Sequence, residues 1–350
     1  MALSAVDSVD DAIDATKRFL LPFSWGTWLK LAFVMFFVGG GGGGLGNVQS
    51  LAQSPGGFED GDFESQPPDA GAGQPAPGAG PEWLTGELIL AVVAAVVVLA
   101  LLLFVIGQVM QFVFVESLLR EQVHVRRYFG RNVGNGLRLL AFRIVLGIVS
   151  VAILGGVVLV GALLFGLGEG GGVPVGLGLV ALAIPFLFLF AMVVGTIDGF
   201  TNVFVVPIML TEDRGILSAW GRLWSAIKRE WKEFLAYLFF SVVLMIGVGI
   251  LGGLVSLLAT LVIAIPFGLV GFGIWTAASG TAMWAGIGVV AALGVLTAIV
   301  VSLLIQVPLQ SFLRYYALLV LGDADADLDP IPEIRAGVRS DEDPSDRPAV

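Results

Sequence analysis

The sequence predicts an all-α protein: a polytopic membrane helical bundle of about six transmembrane helices, arranged as three hairpin repeats with cytoplasmic amphipathic helices. Three observations predict it. Eighty consecutive positions, Phe234 to Leu313, contain no Asp, Glu, Lys or Arg. Hydrophobic residues make up 57% of the chain and charged residues only 13%, against the roughly 25% charged share of soluble domains, which excludes a soluble class. The basic residues collect in short segments between apolar runs, the pattern that holds such segments on the cytoplasmic side of a bilayer.

Residues 1–322 read as one integral membrane domain. Residues 2–21 form an amphipathic helix with a stripe of Leu3, Val6, Val9, Ile13 and Leu20; its acids come first, Lys17 and Arg18 last, and Pro22 ends it, the polarity that a helix dipole favours. We read this helix as a brace on the membrane surface. A first span follows at Trp28–Gly44, and six consecutive glycines, Gly39–Gly44, weaken its far end. A cleaved signal peptide is the competing reading, and the acidic start (Asp7, Asp10, Asp11, Asp14) lacks the basic region it needs. Residues 47–81 are rich in Gly, Pro, Ala, Gln and acids, too polar to bury a core, and read as a disordered external loop.

About 20 apolar residues cross the roughly 30 Å of hydrocarbon. The second span is Leu88–Val115. Segment 116–138 then carries Arg120, Arg126, Arg127, Arg131 and Arg138 and is cytoplasmic. Spans three and four are Leu139–Leu167 and Val175–Leu210, followed by cytoplasmic segment 211–233 with Arg214, Arg222, Lys228, Arg229 and Lys232. In this segment Ile216, Trp220, Leu223, Trp224, Ile227 and Trp231 recur at helical steps, an amphipathic helix for the inner interface with Arg222, Lys228, Arg229 and Lys232 as candidate anionic-lipid contacts. Span five runs from Phe234 to about Ile265, and span six is Gly286–Leu321. Between them, Pro266, Gly268, Gly271 and Gly273 read as a re-entrant or interfacial turn, with a separate seventh span as the alternative. All eight tryptophans fall at or beyond span ends, where indole rings favour the headgroup level. Residues 323–350 read as a disordered, acidic cytoplasmic tail, which puts both termini inside the cell membrane.

A unit of roughly 100 residues repeats three times. Its openings read Leu29–Phe33, Leu137–Phe142 and Phe234–Tyr237; its exits read Phe112–Leu119, Val203–Leu210 and Leu313–Val320. Each unit is a hairpin entered from the cytoplasm, which favours six spans over seven.

Asp198 is the only ionisable residue inside the fourth span, and an intramembrane acid marks a functional site by default. Asn202 lies on the same face; Gln108 with Gln111 and Gln306 with Gln310 occupy corresponding regions of the second and sixth spans. These six residues form a candidate polar intramembrane cluster, read first as interhelical hydrogen-bond glue and otherwise as a transport site. Arg143 is expected to snorkel to the interface rather than to pair with Asp198. The pairs Gly195/Gly199 and Gly249/Gly253 read as close-packing signals.

The chain has no cysteine and one histidine, His124. No phosphate-binding loop, HExxH or Ser/His/Asp set occurs, so no catalytic, cofactor or metal residues are assigned. Arginine outnumbers lysine 14 to 4 and the net charge is -10; this composition resembles that of proteins from extreme halophiles, above all haloarchaea, with a GC-rich genome as the other source of arginine. The run Asn202–Asp213, followed by Ile216–Arg222 and Trp231, resembles the membrane domain that precedes some bacterial glycerophosphodiester phosphodiesterases, and uncharacterised haloarchaeal multi-pass families related to it. The phosphodiesterase barrel and its carboxylates are absent from this chain, so the resemblance implies no activity. The expected function is a non-enzymatic scaffold or accessory protein that organises lipids or partner proteins, including further copies of itself, with no nucleic acid. A transporter or channel around Asp198 is the alternative, and an intramembrane lipid enzyme comes third.

Overall fold

The computed structural model describes residues 4–38, 86–166 and 173–342. Among these residues there are helices and no strand: α1 (Ser4–Leu20), α2 (Trp25–Val38), α3 (Gly86–Leu119), α4 (Val125–Gly166), α5 (Val173–Phe200), a π turn (Thr201–Val205), α6 (Val206–Glu212), α7 (Ile216–Arg229), α8 (Trp231–Ala277), α9 (Gly280–Ala324), a 3-10 turn (Ala326–Leu328) and α10 (Pro332–Glu342). Five stretches of helix are long and apolar enough to cross a bilayer, and a sixth counts if α1 and α2, bent by 119° about Pro22, make one broken span. The glycine run Gly39–Gly44 and the loop 47–81 lie outside the described residues.

Each long helix divides into a packed part and a bare part. The buried core gathers the three exit segments: Phe112, Phe114 and Leu118 of α3, Phe204, Ile208 and Met209 of the π turn and α6, and Tyr315 and Tyr316 of α9 are all under 2% exposed. Tyr315 donates its hydroxyl hydrogen to the Leu118 carbonyl at 3.1 Å, joining two of the exits. Away from this core the side chains open outward, as in Val92, Val96, Val151, Val158, Phe188 and Leu293, each at least half exposed. The bare parts of α3, α4 and α9 are each a little over 20 residues, about one bilayer thickness at 1.5 Å per residue. The members of three pairs, α2/α3, α4/α5 and α8/α9, touch; α4 and α8 leave the packed zone, α5, α9 and α3 run into it, and α2 has buried residues as far as Phe37.

The α8/α9 hairpin replaces the expected re-entrant turn. Helix α8 runs without a break through Pro266 and its glycines to Ala277, and the chain reverses at Ala278–Ser279 and Gly280, whose φ of +63° suits glycine. The glycines nearby serve contact between the two helices. A Cβ at Gly252 would lie 2.7 Å from Leu309, one at Gly286 would lie 3.0 Å from Ile274, and one at Gly294 would lie 3.3 Å from Phe267. The pairs Gly195/Gly199 and Gly249/Gly253 do not pack closely; a Cβ at any of the four meets nothing within 4 Å. The closest backbone approach is instead at Gly136, where a Cβ would sit 2.9 Å from the Val109 Cα, so this glycine sets the α3–α4 distance.

Three further expectations are corrected. The acidic tail is ordered as far as Glu342: Leu328, Ile331, Ile334 and Val338 are buried, and the acids hold arginines. Arg335 meets Asp329 at 3.0 Å and donates to the Leu319 carbonyl, and Arg339 bridges Asp323 at 2.8 Å and Asp11 of α1 at 2.9 Å. Asp323 also accepts from Ser8, so both ends of the described chain close on one carboxylate. Helix α1 turns its small and polar face inward, burying Ser8, Asp11, Ala12 and Ala15 against α8, α9 and α10 and leaving Ile13 exposed, so it is a packed helix rather than a surface brace. Most of the α7 stripe is likewise spent on protein: Ile216 and Leu223 are buried, Trp220 and Ile227 are half-buried against the core, and Trp224 and Trp231 stay outside.

Candidate functional site

The polar cluster forms where the packed zone meets the bare helices, and its centre is Arg143. Helix α4 carries this arginine to within reach of α5, and its side chain is 9% exposed. Nε donates to Asp198 Oδ1 at 2.9 Å, Nη2 to Asp198 Oδ2 at 3.3 Å and to Asn202 Oδ1 at 2.8 Å, and Nη1 to Gln108 Oε1 at 2.5 Å. Asn202 Nδ2 donates back to Asp198 Oδ2 at 3.1 Å, and Gln108 Nε2 to the Phe104 carbonyl at 3.3 Å. The expectation that Arg143 snorkels is therefore overturned. A guanidinium held among apolar helices is stabilised most by a carboxylate that accepts two of its parallel donors, and Asp198 supplies both oxygens.

The backbone explains why a fourth helix joins. The π turn Thr201–Val205 uses i→i+5 bonds, and Val206 N–H donates to the Thr201 carbonyl. The next residue is Pro207, which has no N–H, so in the same register the Asn202 carbonyl loses its donor. Arg314 of α9 fills that place, with Nη1 2.5 Å from the Asn202 carbonyl. The guanidinium lies 6.0 Å from the centre of the Phe114 ring, a cation–π distance. Trp220 of α7 fixes the other side of the turn by donating to Thr201 Oγ1 at 3.2 Å. Gln108, Arg143, Asp198/Asn202 and Arg314 thus join α3, α4, α5 and α9 through one chain of charge-assisted bonds.

Of the six residues expected in the cluster, Asp198, Asn202 and Gln108 come together. Gln111 is buried, with its Oε1 lacking a partner, and lies outside the network. Gln306 and Gln310 are half-buried and form none of its bonds. Arg143 and Arg314 are the residues that sequence reasoning missed; the available signal was that each is a lone cation in an otherwise apolar stretch, with Asp198 as the only acid near. Asp198 keeps a partly open side, its side chain being 37% exposed.

A second polar group lies deeper in the packed zone. Glu116 of α3, with a side chain 5% exposed, accepts from Asn132 Nδ2 at 2.6 Å and pairs with Arg120 at 3.0 Å and Arg131 at 3.3 Å. This satisfied carboxylate holds the basic segment between α3 and α4 against the core. The four candidate lipid contacts divide into two kinds. Arg222 faces Glu212 at 3.5 Å, and Arg229 is paired with Asp325. Lys228 and Lys232 instead lie over the exposed rings of Trp224, at 5.7 Å, and Trp231, at 6.0 Å. Among the described residues no three His, Cys, Asp or Glu side chains group as a metal site, and His124 packs edge-on against Tyr128 at 5.9 Å.

Over residues 3–331 the chain matches the model of a family of unknown function, DUF7544, and it belongs to that family. No curated protein and no solved structure matches it, so neither the phosphodiesterase nor the haloarchaeal resemblance gains support.

Proposed function

We propose that the chain is a non-enzymatic integral protein of the cell membrane, a scaffold or accessory subunit that organises lipids and partner proteins at the cytoplasmic face. One observation carries this reading: Arg143 spends donors on Asp198, Asn202 and Gln108, while both Asp198 oxygens are engaged by Arg143. A carrier needs polar groups that face a passage and exchange partners with cargo; here they hold helices together. The placement follows from charge. The basic segments, α1 and α10 all sit in the packed zone, so the positive-inside bias puts this zone, with both termini, at the inner leaflet. We read the three touching pairs as six crossings, the number that a three-fold repeat of hairpins would require; five long apolar helices, with α1 and α2 as a sixth span if the bent pair counts as one, support this reading. Lys228 and Lys232, riding on exposed indole rings, suit contact with anionic headgroups. No nucleic acid, metal or cofactor enters this reading, and the acidic, arginine-rich composition fits a halophile's protein.

A transporter or channel around Asp198 is the second reading, and the open side of its carboxylate is what favours it. Asp198→Asn in reconstituted vesicles separates the two. The scaffold reading expects the tested ion and solute fluxes to stay at the wild-type level while cross-linked partners and enriched lipids are retained. A flux that wild type supports and this variant abolishes defeats it.

A further inference from the structure

We propose that a groove between α2, α3 and α4 holds one anionic phospholipid, with a chain against its aromatic wall and the phosphate between Lys30 and Arg126. The groove encloses about 590 Å³, lined by Phe33 and Phe37 of α2, Ile106 and Met110 of α3, and Phe129 of α4, with Lys30 and Arg126 at one end. Its direction follows from the chain. Helices α2 and α4 run outward from the packed zone and α3 runs back, so Lys30 precedes Phe33 and Phe37, Arg126 precedes Phe129, and Ile106 lies farther out than Met110. Both cations therefore sit at the packed end and the apolar wall leads toward the bare helices, the polarity of a lipid in the inner leaflet.

The cationic end has no counter-ion of its own. Lys30 and Arg126 form no ion pair or hydrogen bond with a described residue. A second space of about 690 Å³ continues from them past His124 to Arg127, and no acid lines either space. Arg126 and Arg127 also lie in the first turn of α4, where a helix dipole disfavours cations unless an anion is present. Basic pockets between helices at this depth recognise phospholipid headgroups, and the apolar wall supplies what a free phosphate would not need.

The test uses the full-length protein, delipidated in detergent and returned to vesicles of phosphatidylcholine containing phosphatidylglycerol, with retained lipid counted by native mass spectrometry. Wild type is expected to retain phosphatidylglycerol preferentially. Lys30→Ala/Arg126→Ala should retain roughly tenfold less, Lys30→Arg/Arg126→Lys should stay within about twofold because it keeps both charges, and Lys17→Ala, which removes an outlying charge, should match wild type. Phe33→Ala/Phe129→Ala, with both cations intact, should also lose retention and keeps the question open to measurement if the charge-deleted variant does not fold. Equal retention by the charge-deleted and wild-type proteins overturns the proposal, and so does displacement of the lipid by glycerol 1-phosphate, which would make this a site for a free phosphate ester. The inference rests on the membrane placement proposed above. A chain that stays soluble without detergent defeats that placement, whereas a chain that reconstitutes but shows no lipid preference defeats only this site.

Discussion

Replacing Arg143 by Leu tests whether the polar junction holds the bundle together. The substitution removes the donors at 2.5 and 2.8 Å to Gln108 and Asn202 and the pair at 2.9 and 3.3 Å to Asp198. Gln108 is fully buried, so losing the Arg143 donor at its Oε1 costs about 1–3 kcal/mol. Asp198 is 37% exposed, so solvent replaces part of its lost partner and the penalty is nearer that of an exposed pair, up to about 1 kcal/mol. Together these give a loss of about 1–4 kcal/mol, a fall in the unfolding temperature on the order of 5 °C. Thermal unfolding of purified protein in a mild detergent reads it. The double variant Arg143→Leu/Asp198→Leu, which leaves no lone carboxylate, should be less destabilised than the sum of the two single variants by at least about 1 kcal/mol. Additivity within about 0.5 kcal/mol, or an Arg143→Leu protein as stable as wild type, refutes the account.

Other consequences follow from single contacts. Arg314→Met strands the Asn202 carbonyl and should cost about 1.5–3 kcal/mol; in a Pro207→Ala background, where an N–H is restored, the same change should cost less in the same unfolding assay. Gly136→Ala drives a Cβ onto Val109 and should destabilise by about 1–3 kcal/mol, whereas Gly249→Ala, with nothing within 4 Å, should be neutral or stabilising by denaturant titration. Arg339→Met should cost less than about 1 kcal/mol globally yet free α10 from α1, seen as faster proteolysis around Arg335. The Asp323 hydrogen bond holds the Arg339 pKa above the ordinary arginine range, so this contact is fully formed below the ordinary value and fades only in extreme alkali. Raising the pH from neutral to mildly alkaline should therefore leave the α10 cleavage rate unchanged.

Much of the fold was legible because bilayer-length apolar runs and a basic charge pattern are properties of sequence order. The long helices, their pairing and the three exit segments were readable in this way, and so was the gathering of Asp198, Asn202 and Gln108. The pairing of Arg143 was missed because snorkelling and ion pairing begin from the same residue at the same position, and only the neighbour at 2.9 Å separates them. The tail was missed because acids dominate it in sequence, while Leu328, Ile331, Ile334 and Val338 become a stripe only when α10 forms. Glycine pairs misled for a similar reason: the spacing that makes Gly249/Gly253 look like a contact is local, and contact depends on which face the partner helix meets.

By itself the sequence determined which segments are long and apolar enough to cross a bilayer and the order in which they follow one another, since hydropathy and charge act on each segment alone. Tertiary structure decided which charges neutralise one another. Asp198 chose Arg143, Asp323 chose Arg339, and a missing N–H at Pro207 drew Arg314 to Asn202. A desolvated charge or an orphaned carbonyl is stabilised only by a partner within about 3 Å, and that distance is set by packing between helices far apart in the chain.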